Sequence, residues 1–580
     1  MSTTQELATE WLRLDKDEST RKEIQNLLDS NDEVELEARL RKRIAFGTAG
    51  LRSSMKAGFA HMNSLTVLQA SHGLANYALQ STSSKAPSVV LAYDARHNSE
   101  KFARLAAAAF LSKGFRVFWF GQHVHTPMVP FVVSRYGADV GVMVTASHNP
   151  KNDNGYKVYW SNGCQIIPPL DAGIATAIEQ VTDIDTWDTS IVDTHNHVEN
   201  IYESATKAYL SSLYKLSGSS ADPDYVRPFT YTPMHGVGLP FLLPSAHELG
   251  YTGDSLRIVS AQAEPDPDFS TVPFPNPEEK GALDLAIQDA EQYGTSVILA
   301  NDPDADRFAV ATQIEAGRWH QFTGNEMGAL LASFVLDTYQ GDKSRLVMLA
   351  STVSSRMLAA MAEKEGFQCR ETLTGFKWLG NVARDLKNQG LVPVFAYEEA
   401  IGYMFPSVVW DKDGIAAATI FLTAWQGWAK KNITPFEKLQ QLYRKYGFFA
   451  DSNTYLISPS PDVTSKVFAS IRSLWNGKPP GQVGRRKVLR WRDLTVGFDS
   501  ASPDGKPDLP VDASAQMITC ELHDVVFTAR GSGTEPKIKL YIEASAGSHE
   551  EAKRIADEVL ADLLREWFPQ SFGLHLAGSS

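Results

Sequence analysis

The chain has 580 residues and a formal net charge of −13, with 43% hydrophobic and 21% charged residues. That length exceeds what one hydrophobic core serves, so several domains of about 100–200 residues each are expected. The acidic balance argues against nonspecific binding to nucleic acid or to an anionic membrane surface. Cys164, Cys369 and Cys520 lie far apart with no CxxC pair, which argues against a disulfide framework or a thiolate zinc site and for a reducing compartment. No basic and apolar leader opens the chain, no apolar run reaches the ~18 residues of a membrane-spanning helix, and the tail Leu576–Ser580 carries no lipidation or peroxisomal signal. A cytoplasmic protein with no membrane or nucleic-acid partner is the expectation, acting as a monomer.

Residues 5–43, rich in Glu, Lys, Arg and Leu at helical spacing, predict helices that lead into a first domain. Phe46-Gly47-Thr48-Ala49-Gly50-Leu51-Arg52 follows, where glycines let the backbone approach a ligand and Arg52 can hold an anion. A helix over 65–80 places Leu65, Leu68, Leu74 and Leu79 in the core. Val89–Tyr93 and Phe115–Phe120 read as buried strands around a helix over 100–113, with Ser99 as its cap. Strand, helix and strand so closely connected make a βαβ unit and hence a parallel sheet. The apolar run Val140–Val144 is a further buried strand, ending in Thr145-Ala146-Ser147-His148-Asn149-Pro150. A serine at the carboxyl end of such a strand sits where open α/β sheets place ligands. Ser147, with titratable His148 and Lys157 nearby, is either a nucleophilic or phosphate-carrying hydroxyl or part of an ordinary turn.

Clusters of Ser, Gly, Asp and Pro over 213–227 mark a boundary. Phe229–Thr232 opens the next α/β unit, a long loop spans 262–278, and Ser296–Ala300 is a buried strand. A third unit begins near Asn325, with strands Leu346–Ala350 and Pro393–Tyr397. From about 455 the strands shorten, Ile538–Ile542 alternates, and an amphipathic helix over 549–567 closes the chain.

Four loops carry chemistry. In Asn301-Asp302-Pro303-Asp304-Ala305-Asp306-Arg307 the alternating carboxylates can converge on one hard cation, with Mg²⁺ as the fitting ion. An EF-hand is excluded, because its glycine and glutamate positions are Arg307 and Gln313 here. Arg530-Gly531-Ser532-Gly533-Thr534 offers a guanidinium, hydroxyls and unhindered N–H groups to a phosphate, without Walker A spacing. Glu398 and Glu399 follow a buried strand and can accept hydrogen bonds from sugar hydroxyls, or simply sit where acidic residues suit a helix start. Lys377, in Thr374-Gly375-Phe376-Lys377-Trp378, is an anion contact, a proton carrier or a surface lysine. Together these loops point to phosphoryl transfer on a phosphosugar at a junction of domains.

Taken in order, Thr145–Pro150, Asp302–Arg307, Glu398–Gly402 and Arg530–Lys537 resemble the four loops of the α-D-phosphohexomutase superfamily. Phe46–Arg52 and Thr374–Trp378 resemble its branch of phosphopentomutases, second-type phosphoglucomutases and glucose-1,6-bisphosphate synthases. The resemblance implies an α/β protein with four domains around a central cleft: three related α/β mixed-sheet domains and a smaller C-terminal α+β domain. The expected bounds are 1–215 for the phosphoserine domain, 216–324 for the metal domain, 325–452 for the sugar domain and 453–580 for the phosphate domain. It implies a mutase that moves phosphate between position 1 and position 5 or 6 of a sugar, through phosphorylated Ser147 and a sugar bisphosphate intermediate. Asp302, Asp304, Asp306 and a phosphoryl oxygen on Ser147 would hold one Mg²⁺. Arg52, His148, Lys157 and Lys377 would supply proton transfer and electrostatic support. Thr48, Arg307, Thr374, Gly375, Glu398, Glu399, Arg530, Ser532, Gly533, Thr534 and Lys537 would bind substrate. The sugar loop Tyr397-Glu398-Glu399-Ala400-Ile401-Gly402 lacks the Ser and His of many hexomutases, which shifts the expectation to ribose or deoxyribose phosphate, with glucose phosphate second. A glucose-1,6-bisphosphate synthase and a catalytically silent sugar-phosphate sensor are the alternatives.

Overall fold

Three capped helices open the chain: Thr4–Leu14 (α1), Glu18–Asp29 (α2) and Glu33–Leu40 (α3). Their N-caps are Thr3, Asp17 and Asp32, whose side chains accept the orphan N–H groups of the first turn. The computed structural model describes residues 3–577 apart from 49, 83, 185, 219–222, 477 and 533–535. The chain divides into two units, residues 1–349 with 375–436, and residues 350–374 with 437–580.

In the first unit, Leu51–Ser54 (β1), Ser88–Tyr93 (β2), Arg116–Trp119 (β3), Val140–Val144 (β4), Asp153–Trp160 (β5) and Val198–Asn200 (β6) form one sheet in the order β1-β5-β4-β2-β3-β6. Strands β4, β2, β3 and β6 run parallel, while β5 and β1 are antiparallel additions, so the sheet is mixed. Every residue of β4 is buried, which demands cover on both faces. Val140, Val142 and Val144 join the core shared with helices Ser64–Ser81 (α4) and Ser99–Ser112 (α5). Gly141 points the other way, where a Cβ would meet Val133 and Val129 of Met128–Tyr136 (α6) at 2.6 and 2.7 Å.

Two expectations are corrected here. Leu65, Leu68 and Leu74 are buried but Leu79 is 41% exposed, because burial in α4 follows position along its axis and Leu79 falls in the last turn, beyond its cover. Ser99 is the first helical residue of α5 rather than its cap. Asn98 holds the cap position at φ 63° without a capping bond, and Ser99 Oγ donates to Asp94 Oδ1 at 2.6 Å.

The next sheet joins Phe229–Thr232 (β7), Leu256–Ile258 (β8), Val297–Ala300 (β9), Ala309–Glu315 (β10) and Arg318–Gln321 (β11) in the order β11-β10-β9-β7-β8. It is parallel at β8-β7-β9 and antiparallel beyond. The expected loop over 262–278 begins on Gln262, the last residue of a 3₁₀ turn at Ser260–Gln262, and holds no helix or strand beyond it. Farther on, strand Val392–Glu398 pairs antiparallel with Gly402–Met404 through a turn at Glu399–Ile401.

The second unit has an antiparallel sheet centred on Met517–Glu521, Val525–Gly531 and Lys537–Ala546. Val467, Phe468 and Ile471 from helix Pro461–Ser473, and Ala556, Val559 and Leu563 from helix His549–Glu566, join the same core. Residues 350–374 are fastened to this unit by Arg492–Glu371 at 2.7 Å, Arg356–Glu521 at 2.8 Å and the Arg356 N–H donated to Glu543 at 2.8 Å.

Candidate active site

Ser147 lies three residues past β4 with φ 56°, a left-handed conformation that costs a non-glycine residue about 1–2 kcal/mol. Its N–H donates to Thr145 Oγ1 at 2.8 Å. Arg96 compensates the strain from beneath: its NH2 donates to the carbonyls of Ser147 and Asn149, both at 2.5 Å, and its NH1 to Pro150 O at 2.9 Å. Arg96 is itself buried, beside Asp94 at 3.3 Å. The loop is therefore held by one planar fork. The sequence shows Asp94-Ala95-Arg96 after a buried strand, but that local pattern does not reveal the anchor, whose acceptors lie more than fifty positions on.

Ser147 Oγ donates to Asp302 Oδ2 at 3.1 Å, and His148 Nδ1 is 3.4 Å from the same hydroxyl. Asp302, Asp304 and Asp306 are fully buried, and an oxygen from each lies within 4.8 Å of the others. Three like charges do not converge unaided. The loop is pinned by backbone bonds from its neighbours: Thr126 N–H to Asp304 O at 3.0 Å, Val237 N–H to Pro303 O at 2.9 Å and Gly414 N–H to Ala305 O at 3.2 Å. Asn301 closes it by donating to Arg307 O at 2.5 Å, and Arg307 N–H donates to Asp302 Oδ1 at 3.0 Å.

Charge balance comes from lysines. Lys157 on β5 reaches Asp304 Oδ2 at 2.8 Å and Asp306 Oδ2 at 3.0 Å, and Lys412 reaches Asp306 Oδ2 at 2.9 Å. Lys412 was not picked out from the sequence. Its place in Trp410-Asp411-Lys412-Asp413-Gly414, just before a helix start, gave no signal that it turns toward another domain's loop. Burial and the neighbouring carboxylates push Asp302 well above the usual carboxylate range. Burial opposes ionisation of Asp304 too, but the Lys157 ammonium overrides it and holds Asp304 below that range. Burial, with the charges of Arg307 and Arg52, keeps the half-buried His148 imidazole neutral, well below its ordinary value.

Asp304 Oδ1 and Asp306 Oδ1 are buried without a hydrogen-bond partner in the protein. Two orphaned hard oxygens beside a third carboxylate are a donor set that fits a divalent cation.

The sugar loop abuts this centre. Gly402 forms an isolated bridge with Arg307, and Phe308 N–H donates to Ile401 O at 3.1 Å. The Gly375 N–H donates to Glu398 Oε1, and the Lys377 ammonium donates to Thr48 Oγ1, so the first-domain loop and the Thr374–Trp378 loop meet through Lys377. Gly50 makes that first loop possible: its φ is +74°, and a Cβ there would lie 1.8 Å from Tyr156 O. Arg52 is exposed, with NH1 3.5 Å from Asn149 Oδ1. Glu399 lies on the turn itself, half-buried. In the first unit, then, Thr48, Arg52, Ser147, His148, Lys157, the aspartates, Arg307, Gly375, Lys377, Glu398 and Glu399 belong to connected loops. In the second unit Arg530 NH1 donates to Thr374 Oγ1 at 2.5 Å, and Ser532 N–H donates to Lys537 O at 2.8 Å. Gly533 and Thr534 lie outside the described residues.

Four family models of phosphoglucomutase/phosphomannomutase match the chain in order: domain I over 43–185, domain II over 207–315, domain III over 323–446 and the C-terminal domain over 520–562. The phosphoribomutase of Saccharomyces cerevisiae is 44% identical over 96% of this chain and 95% of its own. The chain is an α-D-phosphohexomutase of the phosphopentomutase branch. The glucose 1,6-bisphosphate synthase of Homo sapiens is 39% identical to this mutase over 96% of the chain and 92% of its own. A solved phosphoglucomutase/phosphomannomutase family protein from Burkholderia thailandensis shares the fold, with a TM-score of 0.66 at 18% identity over 92% of this chain and 99% of that one. The expected α/β class, with three mixed-sheet domains and a C-terminal domain, holds, as does the assignment to a phosphomutase. No described helix of this phosphohexomutase is long and apolar enough to cross a membrane.

Proposed function

We propose that this enzyme interconverts ribose or deoxyribose 1-phosphate and 5-phosphate, with glucose 1- and 6-phosphate as a second pair, by phosphoryl exchange at Ser147. The observation that carries the reading is the Ser147 Oγ–Asp302 hydrogen bond of 3.1 Å beside two partnerless carboxylate oxygens. In the working enzyme Ser147 carries a phosphoryl group. A sugar hydroxyl oxygen attacks phosphorus; the new O–P bond forms as the Oγ–P bond breaks, and the hydroxyl proton leaves to a base. The sugar bisphosphate then presents its other phosphate, whose P–O bond to the sugar breaks as Ser147 Oγ takes the group and the sugar oxygen regains a proton.

Asp302, Asp304, Asp306 and a phosphoryl oxygen on Ser147 would hold Mg²⁺, which supplies charge neutralisation to the transferring group. The protein's own groups do the rest. Arg96 fixes the serine loop, so the oxygen is aimed before substrate arrives. His148, neutral and 3.4 Å from Oγ, is suited to carry the proton. Lys157 balances Asp304 and Asp306 rather than exchanging protons. Glu398 and Glu399 are placed to accept from sugar hydroxyls, with Thr48, Arg52, Arg307, Gly375 and Lys377 as electrostatic support. Thr374, Arg530, Ser532, Gly533, Thr534 and Lys537 are assigned to the phosphate that does not react. The bounds 1–215, 216–324, 325–452 and 453–580 remain the proposed division. A cytosolic monomer is part of the same proposal; the unpaired Cys164, Cys369 and Cys520 support the reducing compartment.

The second reading, glucose-1,6-bisphosphate synthase, is favoured by the 39% identity to such an enzyme. Turnover of ribose 1-phosphate and glucose 1-phosphate, with and without 1,3-bisphosphoglycerate, separates the two. Isomerisation faster than bisphosphate synthesis is expected; the reverse order overturns the mutase reading.

A further inference from the structure

A cavity of about 550 Å³ lies in the first domain, behind the loop Phe46–Arg52 and outside the site described above. Its volume is within the range of small-molecule sites, roughly 300–1,000 Å³. The walls are apolar: Phe46, Leu51, Phe59 and Ala70 line one side, and Ala175 and Ile178 of helix Leu170–Glu179 (α7) the other. The polar groups are few: Lys42, Arg43, Thr66, Gln69 and Glu179. Lys42 and Arg43 stand exposed at the rim, neither in an ion pair within 4 Å among the described residues. Arg43 lies over the Phe59 ring at 5.0 Å and touches Gln69 Oε1 only at 3.4 Å. Gln69 is 3% exposed, and its Nε2 is buried with no partner. A buried amide donor left unpaired costs about 1–3 kcal/mol. Gln69 is itself one of the residues that line the cavity.

We propose that this cavity is a ligand site for a small ring-bearing monoanion. The apolar walls take the ring, Lys42 and Arg43 take the charge, and an acceptor on the ligand satisfies Gln69 Nε2. Glu179, also at the rim, repels a second negative charge and so selects against a dianion. Phe46 and Leu51 flank Thr48 and bring the cavity against the loop that ends in Arg52, so occupancy bears on that loop directly. The assignment stands on the cavity alone and is independent of which sugar phosphate the enzyme prefers.

The test titrates the full-length protein with 8-anilinonaphthalene-1-sulfonate, an aromatic monoanion whose fluorescence reports burial. One saturable site per chain is expected. Ala175→Phe, which fills the cavity, and Lys42→Glu, which inverts a rim charge at an exposed position, should each weaken binding at least tenfold without changing the melting profile. Absence of saturable binding overturns the proposal, as does wild-type affinity in Ala175→Phe. If Ala175→Phe melts early, Lys42→Glu decides alone, and unchanged affinity in it contradicts the site.

Discussion

The Lys157 ammonium donates to Asp304 Oδ2 at 2.8 Å from strand β5 of a different sheet, 147 positions earlier in the chain. Both groups are almost wholly buried, with side chains 8% and 0% exposed. A second bond to Asp306 makes this lysine, with Lys412, a counter-charge that permits three aspartates to share one pocket. Lys157→Met keeps the bulk and removes the charge. Breaking a buried pair in this way costs about 3–5 kcal/mol. Urea unfolding in metal-free buffer should show a loss of that order, and millimolar magnesium should recover part of it. A loss that magnesium leaves untouched contradicts the cation site.

Arg96 reaches three carbonyls of the serine loop with one guanidinium. A lysine at this position keeps the charge opposite Asp94 but cannot span the three acceptors. Arg96→Lys is expected to lower kcat by about tenfold to a hundredfold through misplacement of Ser147, with KM little changed. Steady-state kinetics on glucose 1-phosphate measure it. A rise in KM at constant kcat shows instead that Arg96 serves substrate binding.

Asp413 caps the helix Gly414–Ala429 and accepts from the Tyr209 hydroxyl at 2.8 and 2.9 Å. Burial raises its carboxyl from the ordinary 3.8 to about 7. A folded-state value above the unfolded one means that the fold favours the protonated form. The associated stability is complete below the unfolded value and lost as pH rises through the folded one. Relative to Asp413→Asn, the wild type should lose up to about 1.4 kcal/mol of unfolding free energy per pH unit between about pH 4 and pH 7, then level off. Chemical unfolding of both proteins across that range checks it. A difference that stays flat contradicts the raised value.

Particular residues show what the sequence made legible. Val140–Val144 reads as a covered strand and the residues after it as a turn, so local pattern marks Ser147 as a candidate but leaves an ordinary turn as the alternative until the other loops are considered. The Asp302–Asp306 alternation likewise announced itself without knowledge of its partners. Lys412 and Arg96 did not, because their work depends on loops more than fifty positions away that only the folded chain brings close. Leu79 failed for the opposite reason. Its spacing suits a buried face, but α4 is buried along its length rather than on a stripe, and the cover ends before the last turn. Ser99 has a capping residue's chemistry, yet Asp94 and Asn154 claim its hydroxyl.

The central claim is that Ser147 carries the phosphoryl group that the enzyme exchanges with its substrate. Peptide mapping by mass spectrometry, on enzyme purified active and again after incubation with excess sugar monophosphate, tests it most directly. The account predicts a single phosphoryl group on the peptide containing Ser147 in the active enzyme, its depletion on incubation with monophosphate, and neither phosphate nor turnover in a folded Ser147→Ala variant. Phosphate mapped to another residue, or full turnover by Ser147→Ala, would contradict it.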